Sequence, residues 1–322
     1  MTTRRQVLMG LGGGVLAAGF PMSGLASSGQ LNVVATTGMI ADTARQIGGD
    51  LVTVRALMGP GVDPHAYRQT RTDIVAMARA DVVLWNGLYL EAQMEEVLED
   101  IGRKTKVRAV AEAVPVEARI AHDDYDNRFD PHVWMDPDLW RHVAHAVRDA
   151  FTDALPSGAE TFANNTDAFE VELTRLIAYS DSALSSVPDA ARVLVTAHDA
   201  FNYFGRAHGF EVIGIQGIST ESEAGLNRMT ELVNMLVDRK IGAVFVESSV
   251  SDRSIRALIE GAAAKGHVVR VGGELFSDAM GAPGTYEGTY VGMIDHNVTA
   301  IAAGLGGAVP ERGMNGKLSA GS

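Results

Sequence analysis

The 322-residue chain contains no cysteine. Disulfides, thiolate zinc sites, iron–sulfur clusters and cysteine nucleophiles are therefore all excluded, and any metal must be held by His, Asp or Glu. Basic residues are in deficit: 27 Lys and Arg stand against 40 Asp and Glu, a formal charge of −13. Nucleic acid would approach against a repulsive field, while a cation is drawn in, so no nucleic-acid partner is expected. Aromatics make up only 6% of the chain, with Trp 3, which argues against a wide aromatic cleft for haem or a siderophore. No apolar run approaches the ~20 uninterrupted residues of a membrane-spanning helix, so no direct membrane insertion is expected. No GxxxxGK[ST] loop, HExxH helix or nucleophile motif is present, so nucleotide binding and the commonest hydrolytic chemistries have no support.

The N-terminus reads as an export signal. Arg4 and Arg5 precede a Gly-rich apolar stretch, Val7 to Phe20, and small polar residues from Ser23 to Ser28. This is the n-region, h-region and cleavage zone of a signal peptide over residues 1–28, of possible twin-arginine type. Cleavage near Ala26 leaves no cysteine to lipidate, and the expectation is a periplasmic protein, monomeric in solution.

Downstream, β-branched runs alternate with helical patterns, the mark of parallel sheets flanked by helices. The first strands are Leu31–Ala35, Leu51–Leu57, Asp81–Trp85 and Lys106–Val110; the second set is Arg192–Thr196, Glu211–Ile215, Ile241–Val246 and His267–Val271. Helical patterns fall around 39–47, 70–79, 91–101, 137–154, 200–207, 223–239 and 252–265. Between the sets, Ala159–Ser186 reads as one helix of roughly 40 Å, too long for a single small lobe. A chain of this length also favours two cores over one. The expected fold is α/β with two lobes, each a four-stranded mainly parallel sheet, joined by a long rigid helix. The expected boundaries are 29–155 for the N-terminal lobe, 156–188 for the connector and 189–322 for the C-terminal lobe.

Ligands of parallel α/β sheets bind beyond the carboxyl ends of strands. Of the nine histidines, three lie there: His65 after the second strand, His132 after the fourth and His198 after the fifth. Asp278 follows the eighth strand. Two come from each lobe, so their convergence puts a divalent-metal site in the cleft. His65 and His132 share an echo, Val62-Asp63-Pro64-His65 and Phe129-Asp130-Pro131-His132. Proline stiffens each loop, and Asp63 and Asp130 are placed to orient the imidazoles. Glu247, closing the apolar run Ala243–Val246, is a further carboxylate candidate for the cleft, against ordinary helix capping before Ser248–Asp252. His142 and His145 stand three apart on a helix and offer a surface metal clip or, the preferred reading, a solvated face; His122 lies in an acidic loop; His208 and His267, each beside a glycine, read as capping or packing residues, and His296 as a helix-face residue.

At this point the chain resembles a family. Gly61–Tyr67, Asp130–Pro137, Thr196–Phe201, Phe245–Ser249 and Gly273–Gly281 are similar to segments of the zinc/manganese-binding substrate-binding proteins of bacterial ABC importers, the cluster A-I group. The resemblance implies two lobes on a backbone helix, one divalent metal ion held by His65, His132, His198 and Asp278 as transported cargo, and permease membrane subunits of an ABC transporter as partners. It implies a binding protein rather than an enzyme; the alternative is a metal-dependent hydrolase using the same residues. His198 and the other imidazoles favour zinc, the short loop His122–Phe129 favours manganese, and manganese is the expected cargo.

Overall fold

The computed structural model describes residues 29–122 and 128–319, so the signal-peptide reading of residues 1–28 lies outside the described residues. The N-terminal lobe carries a parallel sheet in the order β2-β1-β3-β4, with β1 Leu31–Ala35, β2 Val52–Ala56, β3 Val82–Trp85 and β4 Lys106–Ala109. Helices α1 (Gly38–Gly48), α2 (Arg71–Arg79) and α3 (Glu95–Gly102) connect these strands, and α4 (Pro137–Ala154) follows. Asp136 caps α4 by accepting the Asp138 N–H at 2.9 Å, with Pro137 preset at the first helical position.

Helix α5 (Ala159–Ser185) is continuous. Its buried residues Phe162, Thr166, Phe169, Leu173, Leu176, Ser180 and Ala183 recur at alternating steps of four and three, a narrow stripe along the whole length. The Asn165 side chain, a poor helix former, is used to hold the Ile47 carbonyl at the end of α1 at 2.9 Å. The helix packs on α1, α4 and α9 (Tyr290–Gly304) and is part of the core rather than a bare strut.

The C-terminal lobe contains β5 Val193–Thr196, α6 Asn202–His208, β6 Glu211–Gly214, α7 Leu226–Arg239, β7 Ala243–Glu247, α8 Arg253–Ala264 and β8 Arg270–Leu275. The expected four-stranded sheet is here two parallel pairs, β5-β6 and β7-β8, with β5 and β7 lying side by side. At the site end, their junction is bridged by a side chain, Glu247, rather than by a ladder. Strand β8 also begins and ends later than expected, because Gly272 and Gly273 continue it. A Cβ on Gly272 would sit 2.7 Å from the Phe245 ring, so the glycine admits the aromatic side chain.

One large apolar cluster runs through both lobes, from Leu31 and Ile40 through Trp140 and Phe169 to Leu194, Phe245 and Ile301. Smaller clusters close the outer face of each lobe, around Met77 and Leu98 and around Leu232 and Leu258. Below the cleft the lobes are joined by a buried aromatic seam. Trp134 Nε1 donates to the Ser277 carbonyl at 2.8 Å, and the Tyr290 hydroxyl donates to the Trp134 carbonyl at 2.8 Å. Tyr290 also stacks on Trp140 at 5.0 Å, and its N–H donates to Asp42 at 2.9 Å.

Candidate metal centre

All four expected ligands converge. His65, His132, His198 and Asp278 are buried, and one ring nitrogen or carboxylate oxygen from each lies within 4.8 Å of all the others. His65 Nε2 is 3.2 Å from His132 Nε2, which is 3.4 Å from Asp278 Oδ1; His198 Nε2 is 3.3 Å from Asp278 Oδ2. A tetrahedral ion with ~2.0–2.1 Å bonds spaces its donors about 3.3–3.4 Å apart, so these separations fit one small divalent cation. His198 Nε2 and Asp278 Oδ1 are buried without a hydrogen-bond partner. Leaving such atoms unpaired is costly, and a cation bound by both would relieve that cost.

The turns that present the histidines follow from the Asp-Pro-His echo. Asp63 Oδ1 accepts the His65 N–H and Asp130 Oδ1 accepts the His132 N–H, each at 2.9 Å, the same Asx turn twice. Beyond that the two differ. Asp130 Oδ1 also lies 2.7 Å from His132 Nδ1 and orients the ring, as expected. Asp63 reaches instead to the Thr220 hydroxyl, 2.6 Å away in the other lobe, and holds His65 through its backbone. The end of the His65 loop is tied down by Asp73, which accepts from the Tyr67 hydroxyl at 2.8 Å and from the capping residue Thr70.

His198 follows β5, and α6 starts only at Asn202. Glu247, at the end of β7, lies 2.5 Å from His198 Nδ1 and accepts its N–H at 2.9 Å, so it serves the cleft and is not a helix cap. Asp278 accepts from Ser249 at 3.3 Å. Asn202 donates to Asp130 Oδ2 at 3.1 Å, and the Tyr203 hydroxyl donates to the Asp130 carbonyl at 2.9 Å. Trp134 packs edge-on against His132 at 5.1 Å. Trp134 was visible in the motif beside His132, and Ser249 in the segment Phe245–Ser249; Asn202 and Tyr203 carry no local signal, because their partner Asp130 is 72 and 73 residues distant in sequence.

The electrostatics separate the imidazoles. Burial pushes His65 down to about 3, with Asp278 opposing and the other rings adding to the fall, so it is neutral and ready to donate its lone pair. Burial also disfavours charge on His132, but Asp130 and Asp278 outweigh it and push the ring up to about 9. His198 is raised well above the usual histidine value because Glu247 and Asp278 outweigh its burial. Asp278 is held well below the carboxylate range, against burial, by His198 and His132. Burial and the charge of Asp278 raise Asp63.

The remaining histidines are used elsewhere. His145 pairs with Glu170 of α5 at 2.8 Å, and His142 lines a groove beside β4. His208 packs on Phe204 and faces Asp181, while His267 and His296 bond the carbonyls of Ile241 and Glu274. His122 sits at the mouth near His65.

Comparison with known proteins agrees with this geometry. The family model for zinc-uptake complex component A, periplasmic (ZnuA), matches residues 33–304. The manganese-binding lipoprotein MntA of Bacillus subtilis is 46% identical over 303 residues, 92% of this chain and 99% of the relative. The zinc-binding protein TroA of Treponema pallidum is 46% identical over 280 residues, 87% of this chain and 90% of the relative. The solved structure of TroA superposes with a TM-score of 0.84, covering 86% of this chain and 99% of that one. The chain belongs to the ZnuA family of metal-binding ABC-transporter substrate-binding proteins.

Proposed function

We propose that this protein captures one divalent transition-metal ion between its lobes, through His65, His132, His198 and Asp278, and delivers it to the permease of an ABC importer. The observation that carries the reading is the convergence of three buried imidazoles and one carboxylate from four loops within 4.8 Å. The site serves binding rather than catalysis: four protein donors close the shell, and the space beside His65 is only ≈ 10 Å³. The periplasm is the compartment, consistent with the family's description and with the N-terminal signal pattern, and the protein acts as a monomer. The lobe division at 29–155, 156–188 and 189–322 is supported by the two strand sets on either side of α5. Manganese is the proposed cargo, with zinc binding more tightly to the isolated protein; MntA and TroA, one named for each metal, are equally similar to this chain.

Thermal unfolding with and without manganese or zinc tests the site. Metal stabilises only the folded state, so excess ion raises the melting temperature by mass action. His198→Ala loses most of that rise, and His142→Ala, on the outer helix face, keeps it. Equal behaviour of the two variants overturns the ligand assignment.

A further inference from the structure

The two sides of the cleft are closed by different means. On the side of α4 and α9 the lobes share the buried Trp134–Ser277 and Tyr290–Trp134 contacts described above. On the His65 side they are closed by a strap, residues 215–225 between β6 and α7, which reaches across to the N-terminal lobe. Thr220 donates to Asp63 Oδ2 at 2.6 Å, and Gln93 Nε2 donates to Glu221 Oε1 at 2.6 Å. Ile218, Ser219 and Glu221 of the strap face Leu88 and Tyr89 across the ≈ 10 Å³ space beside His65, about the volume of a single water probe. Nearby, Gly61 approaches Ser248 with φ +69°, and a Cβ there would come to 3.4 Å of the Ser248 carbonyl oxygen.

Asp63 touches both the His65 turn and the strap. Its Oδ1 builds the turn that seats His65, and its Oδ2 grips the strap. Carboxylates fix the rings of His132 and His198 directly, whereas His65 is held through its backbone turn alone by the residue that also grips Thr220.

We propose that Asp63 is a positioning residue that couples the seating of His65 to closure of the strap through Thr220, so that the Asp63–Thr220 hydrogen bond sets the rate of metal release. The coupling works in one direction at a time. With the strap down, both carboxylate oxygens are engaged and the turn is rigid; when the strap lifts, Asp63 loses one anchor, the turn loosens and His65 is the first donor to leave. A permease that pulls on the strap would thereby open the site without disturbing the buried seam.

The inference rests on the metal-binding reading, and stopped-flow release of manganese or zinc into excess chelator separates the two. Thr220→Val removes the hydroxyl while keeping the shape of the side chain; it speeds release about tenfold, the effect of one lost hydrogen bond to a charged group. Its association rate stays close to wild type, and Thr220→Ser restores slow release. In an Asp63→Ala background Thr220→Val adds little, because the second change removes an interaction already broken. Unchanged release from Thr220→Val, or independent effects of the two changes, overturns the coupling while one bound ion per chain leaves the binding function intact. A wild-type chain that takes up neither metal overturns the binding function itself.

Discussion

Glu247 holds His198 at two points, its Oε2 2.5 Å from the ring Nδ1 and its Oε1 accepting the backbone N–H at 2.9 Å. The double contact fixes ring orientation and assigns the proton to Nδ1, leaving Nε2 to face Asp278. It also links the ends of β5 and β7, two strands that carry no ladder between them. Glu247→Gln keeps the size of the side chain but weakens this hold, and metal affinity falls by about 10–100-fold with one ion still bound per chain. Competition titration against a chromophoric chelator measures it, and an affinity within twofold of wild type removes Glu247 from the site's machinery.

Metal binding releases protons. His132 is pushed up to about 9 and His198 is also raised, so in neutral solution the metal-free protein carries protons that a cation must displace. About two protons leave per ion near pH 7, and affinity climbs as pH rises toward 9. Calorimetry in buffers of different ionisation enthalpy reads the number; binding heats that do not depend on the buffer contradict it. Without metal the sign for stability is the opposite. His132 has a folded value above its unfolded one, so its contribution is fully present below about 6.5 and is lost as pH rises through about 9.

Glu91 provides a separate pH signature away from the metal. Its fully buried carboxylate accepts from Thr36 Oγ1 at 2.6 Å, from the Asn86 N–H at 2.8 Å and from the Gly87 N–H at 3.2 Å, joining the loops after β1 and β3. Burial raises it to about 7 despite those donors. The folded value exceeds the unfolded one, so its stabilising contribution is complete below about 4.5 and disappears as pH passes 7. Urea unfolding of metal-free protein at pH 5 and pH 8 therefore shows a smaller loss of stability for Glu91→Gln than for wild type. Equal losses would contradict a carboxyl that changes its proton between these limits.

What the sequence made legible was local. The Asp-Pro-His turns and the strand-end positions of His65, His132, His198 and Asp278 depend on neighbouring residues, and the structure brings those four together. Long-range pairings left no trace: Thr220 meets Asp63 across 157 positions, and Tyr290 meets Asp42 across 248. Helix α9 gave no amphipathic period because it is buried on nearly every side, with polar Asp295, His296, Asn297 and Thr299 inside as well. The end of β8 was hidden for the opposite reason, since Gly272 and Gly273 look like a boundary until the Phe245 ring occupies the space a side chain would need.

Asp278 distinguishes the two candidate metals. Its oxygens face different partners, Oδ1 toward His132 at 3.4 Å and Oδ2 toward His198 at 3.3 Å, so both are directed into the cluster and can bind one ion together. Zinc is satisfied by three imidazoles and one oxygen in tetrahedral geometry, and it outranks manganese in intrinsic affinity for such donors. Manganese favours oxygen donors and a higher coordination number, and here the second carboxylate oxygen is what raises the count to five. Asp278→Asn removes the charge and leaves a single good oxygen donor. Its manganese affinity consequently falls further than its zinc affinity, by about tenfold or more in the ratio, while wild type binds both with zinc the tighter. Parallel chelator competitions with the two metals measure that ratio; equal losses would show that Asp278 binds through one oxygen and that the second has no part in admitting manganese.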